Sequence, residues 1–297
     1  MDFENCRLYG IETIEELSIL LESDLSEFQS SINLWRQYNI RLYNSRVIES
    51  PSMRIKEIQK RILALLYKIP FPDYVYSVPG KSAKDAASLH KETSLHLIVT
   101  DISKFFMSTG REKVYRFWLQ EMKMSLAVAN VMANLTTMDL RKCPIGNVTQ
   151  FISDNSLCVC HLGTGFPSSN LLAFLCNHTM YEELFSYCET HSLKMSVFVD
   201  DIIISSQRAV SRKEFDELKK IINEHGYKVN IKKTRIYNNV NPKMVLGLLL
   251  YNGKVVVPNK KHLEAFEKKK QLEKESSDEK LRNSYLGLVN YIRNSEG

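Results

Sequence analysis

Long apolar runs are missing from this sequence. Among its 297 residues the longest uninterrupted apolar stretch, Met244 to Tyr251, spans eight residues and contains a glycine, far short of the roughly 18 that mark a bilayer-spanning helix. The N-terminus, Met1-Asp-Phe-Glu-Asn, has neither the basic nor the apolar region of a secretory signal. Glycine and proline are scarce, 11 and 8, which excludes collagen-like and low-complexity chains. Cysteine is present without regularity: Cys6, Cys143, Cys158, Cys160, Cys176 and Cys188. The Cys158-Val-Cys160-His161 cluster lacks the second pair that a zinc finger needs, and its alternation fits a strand with two small apolar residues on one face. These absences lead to the expectation of a soluble, cytoplasmic protein in a reducing compartment, without a membrane partner.

What is present is an ordinary globular balance, 44% apolar and 25% charged. The length suffices to bury a core without staples and suits one large domain or two to three small ones. The net charge of +6 is unevenly spread: residues 1–30 carry eight acids and one base, which leaves +13 on the rest. Residues 31–70 hold eight bases and two acids. A basic body behind an acidic cap suits a polyanionic partner, nucleic acid above all, although a lysine excess also serves solubility.

Apolar spacing predicts helices over 11–45, over 52–67 with Lys56, Lys60 and Arg61 on its polar side, over 171–184 and over 211–225, the last stopped by Gly226. Thr109-Gly-Arg-Glu112 reads as a capping box ahead of a helix carrying Val114, Phe117 and Trp118. Strands are expected at 95–99, 195–199, 202–205, 228–230, 244–251 and 254–257, with Asn252-Gly253 as the turn between the last two. A Lys/Glu-rich helical tail closes the chain. There is no internal repeat and no long linker. The fold class is α+β, a small sheet backed by helices.

The sharpest local feature is Phe198-Val199-Asp200-Asp201, two carboxylates at the junction of two otherwise apolar strands. Such a pair in a hairpin turn usually means nothing. Here another apolar strand also ends in an acid, Asp101. Strands that deliver three acids from their ends gather groups that repel unless a cation neutralises them, and Mg²⁺ is the natural hard-oxygen partner. Two such ions activate a hydroxyl and stabilise a leaving phosphate oxygen, which is phosphoryl or nucleotidyl transfer.

At these motifs the chain resembles bacterial reverse transcriptases of the retron and group II intron type, over roughly residues 40–295 and in the family's order. Arg46-Val-Ile-Glu-Ser-Pro51 and the helix after it resemble the fingers motif. Gly80-Lys-Ser82 with Ala87-Ser-Leu-His90 is similar to the segment that retron enzymes carry before the first catalytic strand. Asp101-Ile102-Ser-Lys-Phe105-Phe106 resembles the first catalytic motif, Gly165-Phe-Pro167 the template loop, and Phe198-Val-Asp200-Asp201 the aromatic-x-Asp-Asp hairpin. Gly226 to Thr234 and Val245-Leu-Gly247-Leu248 resemble the next motif and the primer grip.

The resemblance implies a right-hand polymerase: an acidic helical extension over 1–40, fingers over 41–94, a palm over 95–250 with finger elements inserted around 110–160, and primer-grip end and short helical thumb over 251–297. It implies that Asp101, Asp200 and the carbonyl of Ile102 hold two Mg²⁺, with Asp201 in support. Arg46 and Arg41 would face the incoming triphosphate, Lys233 would act as general acid toward pyrophosphate, and Phe106 would exclude a 2′-hydroxyl. The implied partners are an RNA template or structured non-coding RNA, dNTPs, a DNA product and a partner protein in defence. The departures are Gly163-Thr164-Gly165 for Pro-Gln-Gly, Asn170 for Pro, Ala86 for Asn, Leu246 for Thr and Lys104 at a usually acidic position. They align the chain with divergent, defence-associated (abortive-infection type) reverse transcriptases of bacteria. Retron synthesis of RNA-linked DNA and extension without a conventional template are the alternatives. Thr164 and Asn170 imply loose templating, which Thr164→Gln with Asn170→Pro is expected to tighten.

Overall fold

Local signals set most element boundaries in the structure, a computed structural model that describes residues 1–29, 38–43, 46–92, 95–142, 150, 152–153, 157–238, 242–274 and 278–296. In chain order the first elements are helices α1 (Ile14–Leu21) and α2 (Leu25–Gln29), strands β1 (Tyr38–Tyr43) and β2 (Arg46–Pro51), and helices α3 (Met53–Leu66) and α4 (Ala83–Ser88). Strand β3 (His96–Asp101) leads to α5 (Phe105–Ser108), α6 (Arg111–Arg116), a π-turn over 117–121, α7 (Leu126–Thr136), β4 (Thr137–Asp139) and β5 (Cys160–Leu162). Next come α8 (Ser169–Leu175), α9 (His178–Thr190), β6 (Lys194–Phe198), β7 (Asp201–Ser206) and α10 (Arg212–Glu224). The last elements are β8 (Arg235–Tyr237), β9 (Lys243–Val245), β10 (Leu248–Tyr251), β11 (Lys254–Val256), α11 (Asn259–Lys274) and α12 (Glu279–Glu296).

Thr13 and Ser52 cap α1 and α3 by accepting from Glu16 and Ile55 N–H, each worth about 1 kcal/mol. Gly226 follows α10 at φ 85, and Asn252-Gly253 turn at φ 49 and 73 between β10 and β11, as their sequence signals require. Other expectations need correction. The helix foreseen over 11–45 is two helices, Ile14–Leu21 and Leu25–Gln29, residues 30–37 and 44–45 lie outside the described part, and the strands 38–43 and 46–51 pair antiparallel. The Thr109 hydroxyl donates to the Phe105 carbonyl and meets the Tyr227 hydroxyl, so Gly110 stands as the N-cap. The helix expected over 171–184 breaks after Leu175. The strand expected at 228–230 lies at 235–237, and 244–251 folds back on itself at Leu246-Gly247. Arg61 is bound to the Leu20 carbonyl and to Glu22, leaving Lys56 and Lys60 as the exposed cations of α3 among those named. Cys143 lies outside the described residues, and no described helix is long and apolar enough to cross a membrane.

The chain divides into two units. The first comprises 1–73, 102–184 and 221–228. Its helices meet around the aromatic cluster of Phe105, Phe174, Tyr181 and Tyr227.

The second unit, 74–101, 185–220 and 229–297, holds an antiparallel sheet in the order β6-β7-β3-β8 and a three-stranded sheet β11-β10-β9. Residues 74–76 bond to Val197 and cover the β6 edge. Alternation puts Leu97, Val99 and Asp101 on one face of β3, beside Ser205, Ile203 and Asp201 of β7. The apolar middle of that face packs with Val245, Leu248, Leu250 and Ala87, each large side chain contributing about 1.5–3 kcal/mol. At the end away from the acids, fully buried His90 bridges the hydroxyls of Ser205 (2.6 Å) and Ser196 (2.9 Å). The His of the retron-like segment is thus an internal strut between the strands β6 and β7.

Burial, reinforced by the charge of Lys194, pushes the His90 imidazole down to about 3. Its folded value lies below the unfolded one near 6.5, so its stability contribution is intact above about pH 6.5 and is lost as pH falls toward 3. The urea midpoint is therefore expected to drop between about pH 7 and 4, and to drop less steeply in His90→Gln. Equal slopes for the two proteins would remove His90 as the source.

Candidate active site

The register of β3 and β7 sets the site. Asp101, the last residue of β3, lies directly opposite Asp201, the first of β7, which brings two Cβ atoms to about 4.5–5.5 Å on the same face. Phe198 pairs with Asp201 across the adjoining hairpin, so Val199 and Asp200 form a two-residue loop. Val199 sits at φ 60, where such loops favour glycine. A β-branched residue there stores roughly 1–2 kcal/mol of strain, held by paired strands on both sides, and Asp200 follows it at the loop's tip.

Around these acids the second unit supplies donors. The Asn230 N–H donates to the Asp101 carbonyl at 2.8 Å, and its side-chain amide reaches Asp101 Oδ2 at 3.5 Å. The Lys233 ammonium lies 2.9 Å from the same oxygen and is itself 57% exposed. Lys232, Lys233, Arg235, Leu246 and Gly247 line the cleft into which Asp101 and Asp201 open. The turn between β9 and β10 enters it with Leu246 at φ 50 and Gly247 at φ 79.

The structure thus joins Asp101, Asp201 and Lys233 and places Asp200 beside them in sequence. The remaining expected residues belong to the first unit. Ile102 directly follows Asp101 and is buried. Phe105 fills the aromatic cluster, whereas Phe106 is half-buried, its ring 6.0 Å from that of Phe105. Arg41 and Arg46 lie on β1 and β2, opposite Ile48 and Tyr43. Gly165 is needed where it stands, because a Cβ there would come within 2.4 Å of the Glu49 carbonyl. Asn230, Glu49 and His161 were not singled out as site residues from sequence. An acid, Glu49, between Ile48 and Ser50, and a histidine two residues before Gly163, were the available signals.

Asp101 Oδ1 is buried without a hydrogen-bond partner. Burial first, then the charges of Asp200 and Asp101, raise the Asp201 carboxyl to about 6, against the pull of Lys233. Among the described residues no group of three His, Cys, Asp or Glu side chains is placed to hold a metal ion. An orphaned carboxylate oxygen opposite a disfavoured carboxylate is a donor set that suits a hard divalent cation.

Residues 41–288 match the family described as Reverse transcriptase (RNA-dependent DNA polymerase), whose members are in general divalent-metal-dependent. The chain is 26% identical over 229 residues to the retron Se72 reverse transcriptase of Salmonella heidelberg (strain 579083-10), covering 73% of this chain and 55% of that one. It is 26% identical over 209 residues to the retron Mx65 reverse transcriptase of Myxococcus xanthus, covering 68% and 47%. The chain spans about half the length of these curated relatives. An apo telomerase from Candida tropicalis, truncated from its C-terminal domain, aligns over 75% of this chain and 54% of that one, with a TM-score of 0.44 and 13% identity.

Because ionised Asp201 is disfavoured, Asp201→Asn is expected to stabilise the protein at pH 7.5 by on the order of 1 kcal/mol, or about 2–4 °C in Tm. The gain should shrink as pH falls through about 6, where wild-type Asp201 takes up its proton. Added Mg²⁺ should raise the Tm of wild type and not that of Asp101→Ala. A Tm indifferent to Mg²⁺ in both would show that these acids do not form a cation site.

Proposed function

The chain belongs to the reverse transcriptase (RNA-dependent DNA polymerase) family, and from that premise we propose that it is a Mg²⁺-dependent polymerase that adds deoxynucleotides to a primer on an RNA template. The observation that carries the reading is the paired Asp101 and Asp201 register with the Asp200 loop beside it, at the head of a cleft lined by Lys232, Lys233 and Arg235. Asp101, Asp200 and the Ile102 carbonyl would hold two Mg²⁺, with Asp201 in support. Bound there, the ions supply activation of the attacking hydroxyl and charge neutralisation at the leaving phosphate oxygen.

The chain's own residues do the rest. Asn230 fixes the backbone of Asp101 and so the direction of its carboxylate. Lys233 offers an ammonium proton at the acids, the role of a general acid for pyrophosphate. Arg46, with Arg41 on the paired strand, would bind the triphosphate through guanidinium forks. Half-buried Phe106 would lie against the sugar, and Gly165 lets the template loop approach β2. The fingers, palm and thumb divisions given above complete this reading.

Defence against phage, with a dedicated RNA and a partner protein, is the setting that the sequence departures support. A retron reaction, in which a structured non-coding RNA is both template and attachment point for the DNA, is the second reading, favoured by the two curated relatives.

Two measurements test the core of this proposal. Asp101→Ala and Asp200→Ala should each reduce nucleotide incorporation by at least about a hundredfold while far-UV circular dichroism stays unchanged. Activity retained in both would sink the polymerase reading. Phe106→Val should raise incorporation of ribonucleotides relative to deoxynucleotides in direct competition, and an unchanged ratio would return Phe106 to a packing role.

A further inference from the structure

In the first unit, a carboxylate and an imidazole that the proposed mechanism does not use are both completely buried: Glu49 on β2 and His161 on β5. Glu49 Oε1 lies 3.0 Å from His161 Nε2, and Glu49 Oε2 accepts the Thr164 N–H at 3.0 Å. The backbone is engaged as well: the Glu49 N–H donates to Thr164 Oγ1 (3.2 Å), and the Glu49 carbonyl accepts the Gly165 N–H (2.9 Å). On its other side His161 Nδ1 is 2.7 Å from the Cys158 carbonyl. A carbonyl only accepts, so Nδ1 carries a proton, and one further proton is shared between Nε2 and the carboxylate. The pair is then neutral as a whole, the condition under which a buried acid is tolerated.

We infer that Glu49 is a positioning residue: with His161 and Thr164 it latches the 163–165 loop onto β2, the strand that carries Arg46, so that template loop and triphosphate strand move as one body. The inference rests on the polymerase reading above. It gives Thr164 a role of its own. Its hydroxyl satisfies a buried backbone N–H, and its own N–H satisfies the carboxylate, so the loop is held from within the protein. Gly165 belongs to the same device, since any Cβ would strike the Glu49 carbonyl. On this inference Thr164→Gln with Asn170→Pro is expected to loosen templating rather than tighten it, because the longer Gln side chain removes the short acceptor that Glu49 N–H uses.

The test measures KM and kcat for complementary and non-complementary deoxynucleotides on primed RNA, in wild type, Glu49→Gln, Glu49→Ala and Thr164→Val. Glu49→Gln preserves the latch: its amide oxygen accepts from Thr164 N–H and its amide nitrogen donates to neutral His161, so it should stay within about threefold of wild type. Thr164→Val keeps shape and backbone but removes the acceptor. It should raise KM about tenfold and narrow the preference for the complementary nucleotide by a similar factor. Glu49→Ala should do so more strongly, and if it does not fold, Thr164→Val decides alone. Losses in kcat that fall equally on both nucleotides, with KM and their ratio unchanged, would make Glu49 an ordinary core residue and overturn the inference. Wild-type behaviour of Thr164→Val, or damage in Glu49→Gln equal to that in Glu49→Ala, overturns it too. A wild-type protein inert on every primed RNA overturns the polymerase reading instead, and the latch with it.

Discussion

Two carboxylates face each other across the β3–β7 pair because the ladder from His96–Ser206 to Asp101–Asp201 is unbroken. Everything at the site depends on that register. A slip of one residue would send one acid to the opposite face of the sheet and expose half of the apolar middle. The register is held by the burial of Leu97 and Ile203 against Val245, Leu248 and Leu250, and at the far end by His90 between Ser196 and Ser205. One face therefore grades from a polar strut, through an apolar core, to a charged end. The interior does the aligning, so the acids themselves can remain mutually repulsive.

That division of labour explains what the sequence made legible. β3 and β7 carry short apolar runs, Leu97–Val99 and Ile202–Ile204, each with an acid at one end of its strand, and a run of that kind announces both the strand and the place where its chemistry sits. Helix α3 and the Asn252-Gly253 turn carried equally direct signals. The hairpin β1–β2 did not, because buried Glu49 interrupts the alternation that marks a strand, and its reason for being buried lies more than a hundred residues away at His161 and Thr164. The turn at Leu246-Gly247 was hidden for a different reason. A leucine at φ 50 violates local preference, so an apolar run that turns back on itself reads as one strand. The break after Leu175 falls within an apolar stretch in the same way.

The candidate site residues divide along the same line. Asp101, Asp200, Asp201 and Lys233 were visible because charge at the end of an apolar strand, or in a short motif, is conspicuous. Asn230 was quoted within a motif, yet its function is a backbone bond to Asp101 that only the folded chain displays. Phe105 and Phe106 could not be told apart in sequence. Packing assigns the first to the aromatic cluster and leaves the second half-exposed.

The order in which the chain visits its two units has a further consequence. It passes from one to the other at 73/74, 101/102, 184/185, 220/221 and 228/229, so neither unit exists as a continuous segment that could be cut out, exchanged between genes or expressed alone. Synthesis on the ribosome runs from the N-terminus, and domains tend to fold as their last segment emerges. The first unit has all its residues once Lys228 is made. The carboxylate sheet must wait for β8 and for the strands from Lys243 onward that cover its apolar middle, and β3 must hold its partner-seeking edges for the hundred residues that separate Asp101 from Asp201. Pairings that distant form slowly. A product cut short after the Asp200-Asp201 loop would carry all three of these acids and still lack the strands that cover the apolar middle of their sheet.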